Sequence, residues 1–311
     1  MTTITPTPDA GTKTPARRRW RMPWSTAGIA TIALVGILTL LYPSTASWFG
    51  QYEQSQMIEG LDVVVERGPE TLLLEKLEEA HAYNDALVGG ALLAANTRVP
   101  IGQGTSSGRF DYYSMLSLHG MDTMGRLKIP AIHVDLPIYH GTSDATLAKG
   151  VGHLEGTSLP VGGVSQHSVL TAHRGLPEAT LFNDLHKLKI GDRFVIEVMG
   201  EVLTYEVFDT QTVWPHETQS LVPRYGEDIV TLVTCTPLGI NSHRYLVTGK
   251  RVTPTPLEDV AKAGQRPEIP GFPWWSVALA ASLVAYVTII VRGGMPPKPT
   301  QSVDESGSAQ P

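Results

Sequence analysis

The chain has a single cysteine, Cys235, among its 311 residues. One thiol excludes an intramolecular disulfide framework and any zinc site built on several thiolates. Acidic residues outnumber basic ones, 30 to 24, which gives a formal net charge of −6. This excess of negative charge argues against a general nucleic-acid binder. Zinc-ligand spacings of the His-Glu-x-x-His type are absent, and the glycine-rich segment 102–108 lacks the lysine of a phosphate-binding loop. The sequence therefore predicts a protein that uses no metal, no cofactor and no nucleic acid.

Charged residues are missing from two long apolar stretches, 25–42 and 272–291. Each comes close to the ~20 apolar residues that an α-helix needs to cross a bilayer. Arginines precede the first stretch and basic residues follow the second, which by the positive-inside bias places both chain ends in the cytoplasm. We therefore predict a cytoplasmic basic tail over 1–24, membrane helices over 25–42 and 272–291, and a disordered cytoplasmic tail over 292–311.

The middle of the chain, 43–271, carries 17 basic and 27 acidic side chains, as expected of a soluble and mildly acidic body. With both ends inside, this body faces outward across the membrane. A cleaved signal peptide is the alternative for the first stretch, since Ser44, Thr45 and Ala46 have the small side chains of a cleavage site.

The pattern of apolar residues divides this body into two regions. Apolar residues recur at helical spacing from 53 to 96, with a break at Gly68-Pro69, so we predict a helical region with a possible lid over 43–123. Short apolar runs separated by turns follow and predict a mainly β domain over 124–255, either a sandwich or a small closed barrel. A linker is predicted over 256–271. The strand candidates are 125–129, 134–139, 168–172, 194–199, 202–207, 228–234 and 245–252.

Cys235 ends one apolar run and Arg244 opens the next, with turn-forming residues between them. Two strands joined by so short a loop most simply pair antiparallel, which brings the two side chains together. A guanidinium beside a cysteine can favour the thiolate or stabilise an oxyanion.

Cysteine catalysis usually needs an imidazole as well, and the sequence has ten histidines. His173 follows a strand-like run at the start of a loop, which is a good position for a catalytic side chain. His243 competes because it adjoins Arg244, but alternation along a strand turns it to the opposite face. His173 is therefore the better candidate.

Five segments together resemble the sortases. Residues 231–235 read Thr-Leu-Val-Thr-Cys, which matches the Thr-Leu-x-Thr-Cys signature of that family. Residues 236–244, 136–142, 150–160 and 171–177 resemble the pilin-polymerising, class C branch of Gram-positive bacteria, and the likeness extends over about 125–252. The two apolar ends also suit that branch.

This resemblance implies an eight-stranded β-barrel on the outer face of the membrane, flanked by two transmembrane helices. It implies that Cys235 is the nucleophile, His173 the acid/base residue and Arg244 the stabiliser of the oxyanion or substrate. We assign Thr234 as a substrate-binding residue. The implied substrate is a pilin or surface protein with a Leu-Pro-x-Thr-Gly-like sorting signal, cut after Thr, and the implied acceptor is a lysine amine of a pilin subunit.

One feature departs from the class C pattern. Many members cover the site with a lid that carries Asp-Pro-aromatic, and no Asp-Pro pair occurs between Leu87 and Gly125 here. Phe110, Asp111 and Tyr112 have similar residue types without the proline and are the lid candidates. We expect the segment 96–113 to cover the cleft and to be weakly held.

Three other functions compete with pilus assembly. A sortase could anchor single surface proteins to cell-wall peptide. An L,D-transpeptidase-like cross-linker would require a Ser-x-Gly-Cys-type context, which is absent around Cys235. A membrane-anchored pilus scaffold with an inactive site is the non-enzymatic alternative, and the complete set of His173, Cys235 and Arg244 argues against it.

Overall fold

The computed structural model describes residues 20–87, 110–177 and 179–295. The chain divides into two compact units, one formed by 1–42 with 274–311 and the other by 43–273. The helices are α1 (Trp24–Arg67), α2 (Glu70–Ala86), α3 (Asp144–Lys149), α4 (Leu257–Ala261) and α5 (Trp274–Gly293). The strands are β1 (Thr123–Ile129), β2 (Val134–His140), β3 (Val151–His153), β4 (Gln166–Thr171), β5 (Arg193–Val198), β6 (Glu201–Val213), β7 (Asp228–Thr236) and β8 (His243–Arg251).

The first unit holds the apolar start of α1 together with α5. Both helices are long and apolar enough to cross a membrane. The Trp20 indole N–H donates to the Val291 carbonyl at 3.2 Å, and the hydroxyls of Thr31 and Tyr286 lie 3.2 Å apart. Helices thus form at both predicted membrane stretches, and α1 continues past the predicted end at residue 42 to Arg67.

The second unit is built on a barrel whose strands close in the order β1-β2-β3-β4-β7-β8-β6-β5. β2 pairs with β3 and β4 pairs with β7 in parallel, whereas the other six neighbours are antiparallel. An eight-stranded barrel has an interior just wide enough for side chains to fill. The eight-stranded barrel that the resemblance implied is confirmed, and it decides between the sandwich and the barrel that the strand pattern left open.

Strand side chains alternate between two apolar clusters on opposite faces of the sheet. Leu170 and Leu232 belong to the main core inside the barrel. Val169 and Val233, their neighbours along the same strands, belong to a smaller second cluster. Since successive strand residues point to opposite faces, this outer cluster lies on the outside of the barrel. Leu221, from the connection between β6 and β7, covers it.

The two helices before the barrel are fixed to it by polar contacts. Arg126 of β1 has a side chain only 1% exposed, and its Nη1 lies 3.1 Å from Asp62 Oδ2 of α1. Its Nε lies 2.7 Å from Asp135 Oδ1 of β2, so this nearly buried guanidinium has the charged partners that it needs. On α2, the Asn84 amide accepts from the Leu159 N–H at 2.7 Å and donates to the Leu159 carbonyl at 3.1 Å.

The segment after β8, which the sequence predicts as a linker over 256–271, is held against the body. Thr204 of β6 donates to Asp259 Oδ2 of α4 at 2.8 Å. Lys128 of β1 donates to the Lys262 carbonyl at 2.8 Å. At the far end of the segment, the Trp48 indole N–H donates to the Gly271 carbonyl at 2.8 Å. Residues 256–271 therefore form a strap along the barrel and α1.

The structure also contains two short elements that the sequence pattern did not predict. The three-residue strand β3 completes the barrel between β2 and β4, and α3 connects β2 to β3. Leu147 of α3 is 1% exposed and packs onto β3 at Gly152. A Cβ at Gly152 would lie 2.8 Å from Leu147 Cδ2 and would collide with the Gly141 carbonyl, so α3 can lie this close only because residue 152 is glycine.

Candidate active site

Three chemically active side chains lie in one row across neighbouring strands. β4 and β7 run parallel, and the Ala172 N–H donates to the Val233 carbonyl at 3.2 Å, so the pairing continues past the end of β4. His173 therefore lies beside Cys235 by register. Cys235 in turn pairs with Arg244 across the antiparallel β7 and β8. The antiparallel hairpin predicted for Cys235 and Arg244 is confirmed.

The row projects from the outer face of the barrel. Val233 belongs to the outer cluster, and Cys235 is two residues further along the same strand. His243 pairs with Thr236 and therefore alternates to the other face, as predicted. Its ring packs against Trp214 in a tilted arrangement with a centroid distance of 4.0 Å.

The thiol of Cys235 is buried, and the residue is 8% exposed. Burial raises the pKa of Cys235 above its usual 9.0, because a thiolate loses its hydration there, and the positive charge of Arg244 acts in the opposite direction. Arg244 is itself 3% exposed, and its Nη1 donates to the carbonyls of Asn241 at 3.1 Å and His243 at 3.2 Å. The loop between β7 and β8 thus holds the guanidinium in place beside the sulfur.

The imidazole of His173 is partly buried, with 19% of its side chain exposed. Burial lowers the pKa of His173 below 6.5, and the Asp144 carboxylate of α3 raises it. The Nε2 of His173 lies 3.9 Å from Asp144 Oδ1. The opposite shifts on His173 and Cys235 favour a neutral thiol beside a neutral imidazole in the resting site.

Comparison with known proteins shows which family has this fold. A family model described as the sortase domain matches residues 127–252. The crystal structure of Sortase C from Streptococcus pneumoniae is 42% identical to this chain with a TM-score of 0.58, and the match covers 65% of this chain and 98% of that one. The chain belongs to the sortase family. Sortase C-1 from Actinomyces oris is 47% identical with a TM-score of 0.52, over 58% of this chain and 98% of that one.

A curated relative gives the same family over a shorter match. Sortase D from Bacillus subtilis (strain 168) is 33% identical over 132 residues, which are 42% of this chain and 64% of Sortase D. The sortase described here thus spans a little under two thirds of that relative's length. Sortases are cysteine transpeptidases, and the region that matches the family model contains His173, Cys235 and Arg244.

Thr234, which the sequence assigns to substrate binding, is completely buried in this sortase. Its hydroxyl donates to the Ala172 carbonyl at 2.9 Å. Because Ala172 immediately precedes His173, this hydrogen bond ties the histidine segment to β7. The geometry therefore places Thr234 where it holds His173 in position, and no surface of Thr234 is open to a substrate.

The lid candidates lie at the edge of the described region, and 96–109 of the predicted lid lies outside it. Tyr112 is buried, its hydroxyl lies 2.9 Å from His153 Nδ1, and it accepts from the Gly141 N–H at 2.9 Å. Burial raises the pKa of Tyr112 well above 10, so its hydroxyl keeps its proton. Asp111 accepts from the Tyr113 N–H at 3.2 Å. Phe110 makes an edge contact with the ring of Tyr83 at 5.9 Å. All three candidates thus lie in a segment that is packed onto the body.

Two further residues next to the row of His173, Cys235 and Arg244 were missed by sequence reasoning. Asp144 faces His173, although an acidic residue in the first turn of a helix is ordinary and carries no functional signal. Leu238, in the loop between β7 and β8, lies against Gly175 in the loop after His173. Only the three-dimensional pairing of β4 with β7 brings these two loops together. Within the described ranges, no group of three or more His, Cys, Asp or Glu side chains could hold a metal ion.

Proposed function

We propose that this sortase cleaves a Leu-Pro-x-Thr-Gly-like sorting signal between Thr and Gly and transfers the acyl group to a lysine amine of a pilin subunit. The observation that carries the proposal is the row of His173, Cys235 and Arg244 on one face of the barrel. The choice of pilin rests on the likeness to Streptococcus pneumoniae Sortase C, whose structure is described as bearing on pilin substrate specificity.

In the first half of the reaction, the Cys235 thiolate attacks the Thr carbonyl carbon and a bond from sulfur to carbon forms. Arg244 donates to the carbonyl oxygen as it gains negative charge, which lowers the barrier. The carbon–nitrogen bond then breaks, and protonated His173 gives its proton to the leaving glycine amine. The product is a thioester on Cys235, with a neutral imidazole beside it.

In the second half, the acceptor lysine amine attacks the thioester carbonyl. His173 takes the proton from this amine, the carbon–sulfur bond breaks, and the thiolate of Cys235 is restored together with the imidazolium. The thioester keeps the free energy of the cleaved amide until the new amide forms. The reaction therefore needs no ATP, which suits an enzyme that works outside the cytoplasm.

Thr234 takes part indirectly in this scheme. Its hydrogen bond to the Ala172 carbonyl connects β7 to the residue before His173 and keeps the imidazole in register with the thiol. We therefore propose Thr234 as a positioning residue for His173 and no longer as a substrate contact. The proposed lid, 96–113, would end near Tyr112, whose hydroxyl contacts His153 of β3.

The proposal is tested by mass spectrometry of the full-length chain in detergent, incubated with a Leu-Pro-x-Thr-Gly peptide. We expect an acyl adduct on Cys235 that hydroxylamine removes, as it removes thioesters. A peptide with the same residues in scrambled order and the Cys235→Ala variant are the controls, and neither should form an adduct.

A second incubation tests the acceptor. Addition of a peptide from a pilin that contains the acceptor lysine should consume the adduct and give a branched product. Absence of the adduct in the folded wild-type protein would support the inactive-scaffold alternative. An adduct that reacts with a cell-wall peptide amine and never with the pilin lysine would overturn pilus assembly in favour of cell-wall anchoring.

A further inference from the structure

Asp144 is held beside the active site by the way α3 docks on the barrel. Ser143 caps this short helix, because its hydroxyl accepts from the Thr146 N–H at 3.1 Å. Leu147, one turn further, is buried against β3 at Gly152. The cap and the buried leucine together fix the first turn of α3, where Asp144 stands.

The carboxylate of Asp144 is the acidic group nearest to the catalytic imidazole among the contacts of the described residues. Its Oδ1 lies 3.9 Å from His173 Nε2, which is within ion-pair range and about 1 Å longer than a charge-assisted hydrogen bond. The side chain is 78% exposed, so it is free to turn toward the ring when the ring becomes positively charged.

The other charged groups around His173 lie on different sides. Cys235 of β7 adjoins the histidine in the row, and Arg244 of β8 lies one strand further. Arg174, the next residue in the chain, donates to the Asn183 carbonyl at 3.1 Å and contacts His186 Nδ1 at 3.1 Å, so its guanidinium is engaged elsewhere. Asp144 is therefore the negative charge that can compensate an imidazolium at His173 before the thiolate forms.

We propose that Asp144 is a positioning residue that stabilises the protonated form of His173 and so increases the population of the thiolate–imidazolium pair with Cys235. This inference rests on the proposed function only in taking Cys235 and His173 as the reacting pair. The step is an internal proton transfer: the proton leaves the Cys235 sulfur and binds the imidazole, and the total number of protons is unchanged. Asp144 acts by favouring the side of this equilibrium that carries the positive ring.

The size of the effect follows from exposure. An ion pair with one well-solvated member is weak in water. Removing it changes an equilibrium constant, here that between the neutral pair and the thiolate–imidazolium pair, by about two- to five-fold. The lowering of the His173 pKa by burial and its raising by Asp144 act in opposite directions, and the net shift is downward. Asp144 therefore offsets part of the burial effect, and its removal should leave the reactive pair rarer but still present.

The single cysteine of the chain makes this population measurable without any substrate. Alkylation of the full-length protein in detergent by iodoacetamide reports Cys235 alone. Between the pKa of His173 and that of Cys235 the alkylation rate should form a low plateau, proportional to the thiolate–imidazolium fraction. In Asp144→Asn we expect this plateau to fall about two- to five-fold, with no change in the rate above the pKa of the thiol.

Three comparisons make the result decisive. Asp184→Asn removes an equally negative surface charge that is paired with Lys187, and it should leave the plateau unchanged. Asp144→Glu keeps the charge and should restore most of the plateau. In the wild type, high salt should lower the plateau toward the Asp144→Asn value, because salt screens an exposed pair, and this arm needs no variant to fold.

An unchanged plateau in Asp144→Asn would overturn the inference. So would an equal fall at every pH, since that would show a change in access to Cys235 rather than in its ionisation. These outcomes are separate from failure of the proposed function, which would appear as a missing peptide adduct on Cys235 in the wild type whatever the alkylation profile.

Discussion

The sulfur of Cys235 is buried in a place that makes it a poor spontaneous nucleophile. Burial raises its pKa, and the adjacent guanidinium of Arg244 only partly opposes this. A thiol that stays protonated is also less reactive toward oxidants than a thiolate. Under the proposed mechanism, His173 and Arg244 would activate a sulfur that is protected by its proton at rest.

The opposite shifts of the two reacting groups predict a wide pH optimum. We expect kcat/KM to be level from below pH 6.5 to above pH 9.0, because burial lowers the pKa of His173 and raises that of Cys235. Below the first pKa both groups hold protons and the thiolate is lost. Above the second pKa the pair lacks the proton that the leaving amine needs.

Initial rates of peptide transfer, measured at constant ionic strength from about pH 5 to about pH 10, check this width. A bell-shaped profile whose acid and alkaline midpoints both lie between pH 6.5 and pH 9.0 would contradict the directions of the pKa shifts of His173 and Cys235.

Arg244→Lys should abolish most activity while leaving the fold intact. Lysine keeps the positive charge but loses the planar fork that reaches both the loop carbonyls and the substrate oxygen. Loss of one oxyanion donor typically slows the reaction about 100- to 1000-fold. Turnover and thermal unfolding are measured together, with the exposed Arg266→Lys as the matched control. If activity fell only in proportion to the folded fraction, Arg244 would be structural.

At the scale of elements, glycines decide where α3 lies. Gly152→Ala should force α3 away from β3, because the new methyl group would meet Leu147 and the carbonyl of Gly141. We expect a loss of about 1–3 kcal/mol in the free energy of unfolding, as for other overpacked sites. A decrease in the Cys235 alkylation plateau should accompany it, because Asp144 moves with the helix.

Gly60→Ala in α1 is the matched control for this change. Its added methyl would meet nothing closer than Met121 Cε at 3.9 Å, and alanine favours a helix over glycine by up to about 1 kcal/mol. Chemical denaturation of both variants gives the comparison. Equal stability of Gly152→Ala and the wild type would show that α3 can relax freely.

Sequence reasoning reached the elements that are long enough to carry a periodic pattern. Seven apolar runs became seven strands, and the break at Gly68-Pro69 separated two helices. The strand β3 was not predicted, because three residues are too few to show alternation. The helix α3 was not predicted either, because six residues are too few to show helical periodicity. The sequence did not indicate that the predicted linker 256–271 is held against the body. Its contacts are made by single polar groups spread along the barrel and α1, and such groups leave no pattern in the sequence.

The candidate site was predictable in part and for an identifiable reason. Cys235 and Arg244 meet through a local hairpin, which sequence distance and strand patterns can reveal. His173 meets Cys235 through the parallel pairing of β4 with β7, and periodicity alone cannot indicate that pairing. The family resemblance supplied it. Burial of Thr234 depends on which face of β7 points inward, and this becomes known only when the barrel is closed.

On the scale of the whole molecule, two buried histidines should make the fold sensitive to acid. Burial lowers the pKa of His153 and of His167 to about 4, from 6.5 in an unfolded chain. Between these values the unfolded chain binds more protons, so stability is complete above about pH 6.5 and falls as the pH drops toward 4. Two such sites give a slope of up to about 3 kcal/mol per pH unit.

Asp62 reduces this slope, because burial raises its pKa to about 6 and the folded state then binds a proton in the same range. Denaturation curves at a series of pH values measure the net dependence. His167→Gln should reduce the slope, because it removes one of the two buried imidazoles. An equal slope in His167→Gln and the wild type would contradict burial of a neutral imidazole at His167.

The orientation of the chain in the membrane is the second prediction at this scale. We expect protease added to intact protoplasts to digest the body at 43–271 and to spare both chain ends. Basic residues precede the first apolar stretch and follow the second, and the positive-inside bias places these sides in the cytoplasm. Epitope tags placed before residue 20 and after residue 295 make the protected ends visible. Protection of the body would reverse the proposed orientation.

The closed order of the barrel has a consequence for how a flexible tail could be captured. Each of the eight described strands has a neighbour on both sides over at least part of its length, so none of them is an open edge strand beside which an extended polypeptide could add as a ninth strand. We therefore expect the proposed sorting signal to bind to side chains and loops on the outer face. Discrimination between substrates would then depend on loops that can change in sequence without disturbing the barrel.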